Sequence, residues 1–325
     1  MRWSIPKPYY YASAIATTFG VGYLIKDYIG GKIYEGQNDL NGKTVIVTGA
    51  NTGIGKEIAH SLAARNAKVI LACRNRERCD KARKEIVIDT RNKFVYCREC
   101  DLASQQSIRK FVKRFKEENS QLHILINNGG VMRCPKSYTK EGIELQLGVN
   151  HMGHFLLTNL LLDVLKESAP SRIVNVSSAA HLKGNLKIKD LNSTEHYDPY
   201  EAYAQSKLAN ILFTRELAKK LEGTKVTVNA VHPGIVDTEI TRHMKFFNSF
   251  LSKIIIKPFI WPFIKSPKQG AQPILYAALD SSLDSVTGSY LSNNEIAETS
   301  NEAKDDKLAR WLWLVSEKWT RLNVT

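Results

Sequence analysis

The chain has 325 residues, of which 43% are hydrophobic and 24% are charged. This composition is that of a globular protein and excludes a disordered chain, and the length suits one large α/β domain with appendages or two small domains. The 46 Lys and Arg residues exceed the 32 Asp and Glu residues and give a formal net charge of +14, which favours an anionic partner such as nucleic acid, a membrane surface or a phosphorylated ligand without choosing among them.

The cysteine content bears on the redox compartment and on metal binding. The five cysteines are Cys73, Cys79, Cys97, Cys100 and Cys134. An odd number scattered through predicted core elements argues against a disulfide framework and indicates a reducing compartment. Cys97 and Cys100 match the C-x-x-C spacing of redox and zinc sites, but they continue a strand pattern, and no second Cys or His pair has ligand spacing. We therefore expect structural cysteines and no metal site.

Near the N-terminus, residues 9–25 form an uncharged run of 17 residues, at the lower limit of the roughly 17–25 residues that a membrane span needs. Lys26 and Asp27 follow the run and make a poor cleavage site for a signal peptide. We expect residues 1–38 to hold an uncleaved membrane anchor and a linker. The alternative is an apolar helix that packs on the following domain.

A glycine-rich loop follows the first predicted strand. The strand covers Thr44–Thr48, the loop has the spacing G-x-x-x-G-x-G, and apolar residues at helical spacing continue over residues 56–65. Strand, glycine turn and helix are the order that a dinucleotide-binding fold requires, with the pyrophosphate on free N–H groups at the helix N-terminus. The expected cofactor contacts in the loop are Gly49, Asn51, Thr52, Gly53, Ile54 and Gly55. An ordinary glycine-containing turn between a strand and a helix is the alternative.

From residue 40 onward, strand patterns alternate with helix patterns. The other predicted strands cover residues 68–72, 93–96, 124–127, 172–177, 226–231 and 288–291. The helix patterns between them, such as those at residues 104–118 and 153–166, are long enough for βαβ crossovers. The sequence therefore predicts an α/β fold with a doubly wound parallel sheet (Rossmann fold) of about seven strands. This domain is expected over residues 39–292, with a helical tail at residues 293–325.

Residues at the ends of the second, third and fourth strands are candidate cofactor ligands. Arg74 follows the second strand, where an Arg accommodates the 2′-phosphate of NADP and an acidic residue binds the ribose of NAD. Arg74 therefore favours NADP; the alternative is a solvated Arg in a basic surface run. Asp101 and Leu102 are placed to reach the adenine, and Asn128 and Gly129 to approach the second ribose.

Candidate catalytic residues lie around the fifth strand and the helix pattern that follows it. Ser178 closes that strand, and Tyr203 and Lys207 stand four residues apart, on one face of the predicted helix. A phenol has a pKa of about 10, and a neighbouring ammonium lowers it by favouring the phenolate. Tyr203 is therefore expected to exchange a proton with the substrate oxygen while hydride moves, and Ser178 to bind that oxygen. Asn150 is expected to hold a water that links Lys207 to solvent. An ordinary surface pair on a helix is the alternative.

The chain changes in character after residue 239. Residues 241–279 include six Lys or Arg and no Asp or Glu, with aliphatic and aromatic residues between them and prolines that exclude one continuous helix. We expect residues 239–268 to form a substrate lid that also enters an anionic lipid surface and admits a lipophilic alcohol or aldehyde. The alternative is a pair of core helices with solvated lysines. Nucleic acid fits poorly, because no nucleic-acid-binding motif accompanies these basic residues.

Together these motifs resemble the short-chain dehydrogenase/reductase family over residues 40–291. The matching segments are residues 48–55, 127–130, 149–150, 176–178, 203–207 and 232–234. The resemblance implies a catalytic tetrad of Asn150, Ser178, Tyr203 and Lys207. It also implies cofactor contacts near the nicotinamide at Pro233, Gly234, Val236 and Thr238. Gly129 departs from the family, which usually has Ala there, and we expect it to loosen the floor of the nicotinamide ribose site.

More narrowly, residues 26–28, 71–74, 148–155 and 204–209 resemble the retinol dehydrogenase group of that family. This resemblance implies NADP-dependent interconversion of retinal and retinol, or of similar lipophilic aldehydes and alcohols, on the mitochondrial inner membrane or the endoplasmic reticulum. A steroid or other lipid carbonyl reductase is a close alternative, since apolar pockets separate such substrates by only about 1–3 kcal/mol. A further alternative is a non-catalytic NADP-binding membrane scaffold, against which the intact tetrad argues.

Overall fold

The structure is a computed structural model that describes residues 6–243 and 261–322. Within these ranges the centre of the molecule is one sheet of eight strands with helices on both faces. Residues 244–260, the middle of the expected substrate lid, lie outside the described residues.

The sheet is doubly wound. Its strands are β1 Thr44–Thr48, β2 Lys68–Cys73, β3 Val95–Glu99, β4 Ile124–Asn127, β5 Ser171–Val176, β6 Val226–His232, β7 Tyr290–Ser292 and β8 Glu295–Ile296. They lie in the order β3-β2-β1-β4-β5-β6-β7-β8, and the pairing is parallel except between β7 and β8. The order reverses at β1, which pairs with β2 on one side and β4 on the other. The predicted Rossmann fold is confirmed, and such folds bind ligands at this reversal, beyond the carboxyl ends of the strands.

The helices of the described residues cover both faces of the sheet. They are α1 Lys7–Gly30, α2 Gly53–Ala63, α3 Arg76–Thr90, α4 Gln105–Glu118, α5 Leu145–Leu147, α6 Gly153–Leu160, α7 Leu162–Glu167, α8 Pro199–Lys220, α9 Pro267–Leu279 and α10 Asp306–Thr320. A π-helical turn, Gly148–Met152, joins α5 to α6. Successive strand residues point to opposite faces. Val45 and Val47 therefore join α2, α3 and α9 in one buried cluster, whereas Ile46 joins α4, α6 and α8 in another.

The largest differences from the predicted strands are at β3 and β8, and both have local reasons. β3 begins at Val95 rather than at residue 93, because the Asn92 side chain turns the chain first. Its oxygen accepts from the Phe94 N–H at 2.8 Å, and its amide group donates to two carbonyl groups around the α2–β2 connection. The sequence does not predict β8. This strand forms because Asn293 and Asn294 both adopt left-handed backbone, with φ of 53° and 62°, as a two-residue hairpin requires.

The uncharged N-terminal run forms most of α1. Of the helices in the described ranges, none has the length and hydropathy needed to cross a bilayer. Near its C-terminal end α1 packs beside the described end of the expected lid. Lys26 Nζ donates to the carbonyl oxygens of Trp261 and Ile264, both at 3.3 Å, and lies 4.2 Å from the centre of the Trp261 ring. Further towards the N-terminus the side chains of Tyr9 and Phe19 are exposed.

One cysteine pair departs from the expectation of a chain without a disulfide framework. Cys79 of α3 and Cys97 of β3 form a disulfide with their Cα atoms 6.0 Å apart, so that expectation is wrong for this pair. The pairing arises because α3 packs against β3, a contact that cysteine spacing does not reveal. Cys73, Cys100 and Cys134 are buried and free. Burial raises the pKa of Cys73 to about 12, so this side chain remains a thiol at neutral pH.

The helical tail predicted near the C-terminus contains α10, which packs on α6 and α8. Asp305 caps it by accepting from the N–H groups of Lys307 and Leu308. The Trp313 ring lies 4.9 Å from the Phe155 ring and 5.9 Å from the Phe213 ring, measured between centres. These three rings fix the tail to α6 and to α8, the helix that carries Tyr203 and Lys207.

Candidate active site

A cleft of about 790 Å³ opens beyond the carboxyl ends of the central strands. Every residue that the sequence predicts to contact the cofactor lines this cleft. Of the expected tetrad, Ser178, Tyr203 and Lys207 also line it. Asn150 is fully buried in the π-helical turn and does not reach the cleft surface.

The glycine loop after β1 forms one end of the cleft. Gly49 has a φ of 65°, and a Cβ there would lie 2.7 Å from the Cα of Gly129. A Cβ on Gly55 would lie 2.4 Å from the Gly49 carbonyl oxygen, so both positions need glycine. Helix α2 begins at Gly53, and Thr52 makes no side-chain capping bond to it. The first N–H groups of α2 are therefore available to the pyrophosphate of a dinucleotide.

The floor beside Gly129 is closed. A Cβ on this glycine would lie 2.9 Å from Leu102 Cδ1 and 3.4 Å from the Gly49 nitrogen. Leu102 therefore occupies the space that the missing methyl group would fill. A neighbouring side chain thus fills this space, and the effect of Gly129 on the nicotinamide ribose site stays a prediction.

The adenosine end of the cleft carries an available positive charge. Arg74 follows β2, is exposed and lines the cleft together with Asp101. The Asp101 carboxylate accepts from the Ala103 N–H at 3.1 Å. Within residues 6–243 and 261–322, Arg74 has no hydrogen-bond or ion-pair partner. Its guanidinium group can therefore bind an anionic ligand without losing an existing contact.

The candidate catalytic centre is built on α8. Asp198 caps this helix by accepting from the N–H groups of Tyr200 and Glu201. Tyr203 and Lys207 follow on one face, both buried, and the Tyr203 hydroxyl interacts with the Ser178 side chain. Lys207 Nζ donates to the carbonyl oxygen of Val176, the last residue of β5, at 3.0 Å and lies 5.7 Å from the centre of the Tyr203 ring. A hydroxyl pair and an ammonium group thus meet at the cleft.

Burial moves the pKa values of these two groups in opposite directions. It raises the pKa of Tyr203 to about 12, although the neighbouring Ser178 side chain and the charge of Arg133 act to lower it. It lowers the pKa of Lys207 to about 8. The expectation of a phenol with a lowered pKa is therefore wrong, because desolvation of the phenolate outweighs the favourable charges. A phenol that stays protonated at neutral pH is suited to give a proton to a carbonyl oxygen.

Comparison with known proteins identifies the family. Residues 43–246 match the family model described as short chain dehydrogenase. The chain belongs to the short-chain dehydrogenase family. Retinol dehydrogenase 13 from Homo sapiens is 49% identical to it over 307 residues, which cover 94% of this chain and 93% of that protein. This short-chain dehydrogenase is thus an oxidoreductase closely related to the retinol dehydrogenases, and the predicted resemblance is confirmed.

Solved structures agree with this assignment. An uncharacterized protein from Mycobacterium paratuberculosis is 34% identical, with a TM-score of 0.71 over 90% of this chain and 98% of that chain. The Pseudomonas aeruginosa RhlG/NADP active-site complex is 26% identical, with a TM-score of 0.63 over 78% of this chain and 95% of that chain. A neighbour of this dehydrogenase has therefore been solved with NADP.

In this dehydrogenase Asn150 does not line the cleft but supports the catalytic helix α8 through hydrogen bonds. Its side-chain oxygen accepts from the Val131 N–H, and its amide group donates to the Val131 carbonyl and the Ser206 hydroxyl, all at 2.9 Å. The Ser206 hydroxyl in turn donates to the carbonyl oxygen of Tyr203 at 2.7 Å. Asn150 therefore positions the backbone that carries the phenol, and the water expected between Asn150 and Lys207 stays a prediction.

A buried histidine connects this support to the glycine loop. The Thr48 hydroxyl oxygen accepts from the N–H groups of Asn128 and Gly129, at 2.9 and 2.8 Å. Because the hydroxyl oxygen already accepts two hydrogen bonds, the hydroxyl is the donor to His154 Nε2. The distance to this nitrogen is 2.9 Å, shorter than the 3.3 Å to the Ile126 carbonyl oxygen of β4. His154 Nδ1 therefore carries the ring proton and donates to the Asn150 carbonyl at 3.0 Å. Burial lowers the pKa of His154 to about 4, so the ring is neutral.

Sequence reasoning missed two residues of the site. His154 stands four residues after Asn150, and this spacing places both on one helix face. The sequence therefore contains a pattern that indicates His154. Arg133 lines the cleft with a left-handed φ of 48°. Its N–H donates to the Gln146 side chain at 2.7 Å, and its guanidinium lies 4.6 Å from the centre of the Tyr200 ring. No sequence pattern marks Arg133, because tertiary contacts hold this backbone conformation.

Proposed function

We propose that this dehydrogenase is NADP-dependent and interconverts lipophilic aldehydes and alcohols, with retinal and retinol as the first candidates. The observation that carries the proposal is the meeting of the Tyr203 and Ser178 side chains with the buried Lys207, in a cleft that begins at a glycine loop. Apolar side chains along the same cleft suit a lipophilic substrate. They include Val131, Met132, Leu145, Val149, Ile235 and Ile264.

The residues of the cleft fit NADP. The glycine loop leaves room for a pyrophosphate, and Arg74 offers a guanidinium to the 2′-phosphate. The loop position before Gly53 is Thr52 and carries no charge, so selectivity for the phosphate rests mainly on residues after β2. When bound, the reduced cofactor supplies the hydride.

Side chains of the protein supply the proton that the substrate oxygen takes up. In the reductive direction the Ser178 hydroxyl donates a hydrogen bond to the carbonyl oxygen of the substrate. Tyr203 gives its proton to that oxygen as the alkoxide develops, and the Lys207 ammonium stabilises the phenolate that remains. Alcohol oxidation uses the same groups in reverse, with the phenolate as base.

Exchanging the charge at Arg74 tests the cofactor assignment. We expect Arg74→Asp to weaken NADPH binding by about tenfold or more, because a carboxylate repels the 2′-phosphate that the guanidinium binds. NADH lacks that phosphate and should bind nearly as before. Fluorescence titration of both cofactors measures the two dissociation constants. Equal losses for NADPH and NADH would contradict the assignment.

A substrate panel tests the substrate class. Purified protein in detergent is assayed with all-trans-retinal, steroid ketones and alkenals in the presence of NADPH. We expect the highest kcat/KM for retinal. A higher value for a steroid ketone would favour the alternative of a steroid or other lipid carbonyl reductase, since the same apolar cleft suits both. NADPH binding without turnover of any of these substrates would favour the non-catalytic scaffold.

We also propose that the protein associates with a membrane through α1, on the mitochondrial inner membrane or the endoplasmic reticulum. Several large apolar or aromatic side chains of α1 are exposed to solvent. They are Tyr9, Tyr10, Tyr11, Phe19, Val21, Tyr23 and Leu24. A helix with such a surface in a chain of net charge +14 suits the interface of an anionic bilayer. Direct entry of a lipophilic substrate from that bilayer would follow.

A further inference from the structure

An ion pair joins two walls of the cofactor cleft. Arg78 Nη2 lies 2.5 and 2.6 Å from the two carboxylate oxygens of Glu239. Arg78 belongs to the first turn of α3, directly after β2, whereas Glu239 begins a short helical turn after the segment expected to contact the nicotinamide. Both side chains line the cleft. A pair of residues 161 positions apart in sequence therefore bridges the cleft where the dinucleotide is expected.

Arg78 also lies close in sequence to the expected phosphate ligand. It follows Arg74 by four residues, and both line the same cleft. Arg76, between them, does not line it and instead donates to Asp80 at 2.8 Å and to the Cys97 carbonyl at 3.1 Å. The basic run after β2 therefore directs two of its three arginines towards the cleft.

We propose that Arg78 is a second ligand of the cofactor's 2′-phosphate and that Glu239 holds Arg78 until this phosphate takes the place of the carboxylate. The inference rests on the proposed use of NADP. It makes Arg78 and Glu239 opposing determinants of cofactor choice. NAD lacks the 2′-phosphate and leaves the Arg78–Glu239 pair intact. When NADP binds, its 2′-phosphate replaces the Glu239 carboxylate as the partner of Arg78.

Charge and exposure make this exchange feasible. The Arg78 and Glu239 side chains are 48% and 50% exposed, so water and salt screen their attraction and the pair contributes little to stability. A phosphate monoester carries close to two negative charges and three acceptor oxygens, so it attracts guanidinium groups more strongly than a carboxylate does. Arg242 and Asp237 also line the cleft, and each has partners in the structure. Arg242 Nη1 lies 3.5 Å from the Glu239 carbonyl oxygen.

Cofactor titrations with charge-removing variants test the exchange. The dissociation constants of NADPH and NADH are measured by fluorescence for the full-length protein and for Arg78→Met, Glu239→Gln and the double variant. We expect Arg78→Met to weaken NADPH by about tenfold, as the loss of one charge-assisted contact to phosphate implies, with NADH unchanged. Glu239→Gln should tighten NADPH several-fold and leave NADH unchanged, because the competing charge is gone. The double variant should behave as Arg78→Met alone.

Arg76→Met is the matched control, since it removes one positive charge from the same helical turn outside the cleft. Equal weakening of NADPH by Arg76→Met and Arg78→Met would overturn the proposal, because it would indicate a general charge effect. Unchanged NADPH binding in Glu239→Gln, or a parallel shift for NADH, would overturn it as well. If Arg74→Asp loses the preference for NADPH and Arg78→Met keeps it, Arg78 is not a ligand of the 2′-phosphate. The proposed use of NADP would be unaffected by that result. Equal affinity of the unmodified protein for NADPH and NADH would instead reject NADP dependence itself.

Discussion

Tyr203 and Lys207 are one helical turn apart, and burial affects them in opposite ways. It keeps the phenol protonated and brings the pKa of the ammonium to about 8. The spacing in the sequence correctly places both on one buried face of α8. It does not predict the direction of the tyrosine shift, because desolvation depends on how many atoms of other elements surround the ring.

The lowered pKa of Lys207 predicts a pH dependence for carbonyl reduction. Below pH 8 the ammonium is charged and stabilises the phenolate that forms as Tyr203 gives up its proton; above pH 8 this charge is lost. Tyr203 itself stays protonated until about pH 12. We therefore expect kcat/KM for retinal reduction to be flat below pH 8 and to fall as the pH rises through it. A pH–rate profile measures this fall.

Lys207→Arg is the control for that profile. A guanidinium does not lose its proton in this range, so the variant should have lower activity but no fall near pH 8. The same fall in Lys207→Arg, or a flat profile in the unmodified protein, would contradict the role of Lys207.

The His154 ring gives a second prediction for a single residue. His154→Phe removes the partner of the Thr48 hydroxyl and of the Asn150 carbonyl, and a buried polar group left without a partner costs about 1–3 kcal/mol. We expect a loss of unfolding free energy in that range, measured by urea denaturation, together with a lower kcat. Thr48→Ser keeps the hydroxyl and should cost less. Equal stability of His154→Phe and the unmodified protein would contradict the proposed hydrogen-bond network.

At the scale of single elements, α10 supports the turn that holds Asn150. His151 in that turn lies 2.8 Å from the Ser316 hydroxyl of α10, measured from Nε2. The Ser316 hydroxyl donates its proton to the Leu312 carbonyl at 2.7 Å, so it accepts from the His151 ring. The tail helix thus contacts the turn that holds Asn150 through this hydrogen bond, and it contacts the catalytic helix α8 through the Trp313 and Phe213 rings.

Truncating the central ring of α10 tests this support. Trp313→Ala should lower the free energy of unfolding by about 3–5 kcal/mol, because the ring is buried against Phe155 and Phe213. Leu314→Ala, on the same helix, changes a side chain that is 58% exposed and should cost less than about 0.5 kcal/mol. Urea unfolding curves compare the two variants. Similar midpoints for both would show that α10 does not support the core.

Elements with strong local patterns could be predicted, and elements that depend on distant contacts could not. β1, β4 and the glycine loop follow from β-branched runs and glycine spacing, and the structure places β1 and β4 at their predicted bounds. The Cys79–Cys97 disulfide requires α3 to pack on β3, and β8 requires two left-handed asparagines. The hydrogen bond between Asn150 and Ser206 requires α8 to meet the π-helical turn. No local pattern contains that information.

At the scale of the whole molecule, α1 lies close to the cleft, because it contacts the segment that begins at Trp261. The end of α1 near Lys26 packs beside Trp261, at the described end of the expected lid, and Ile264 of the same segment lines the cleft. A membrane surface on α1 would therefore lie near the cleft. This arrangement links the proposed membrane association to the proposed lipophilic substrate.

Exposed residues of α1 test the membrane association. Phe19 and Tyr23 are 71% and 65% exposed and lie one helical turn apart. We expect Phe19→Ser with Tyr23→Ser to weaken sedimentation with anionic vesicles by about tenfold or more, since each large apolar side chain contributes about 1.5–3 kcal/mol when it leaves water. Ile88→Ser, at a 74% exposed position on α3, is the control and should bind as before. Equal binding of all three proteins would reject α1 as the membrane contact.

The central claim is that Tyr203 supplies the proton in NADPH-dependent reduction of a lipophilic carbonyl. Replacing Tyr203 by Phe keeps the ring in its buried place and removes only the hydroxyl that interacts with Ser178. Retinal reduction is measured at saturating NADPH, with NADPH binding measured separately by fluorescence. We expect kcat to fall by about 10²–10⁴-fold, the usual contribution of a positioned general acid, while the NADPH dissociation constant changes little. Unchanged turnover in Tyr203→Phe would contradict the claim.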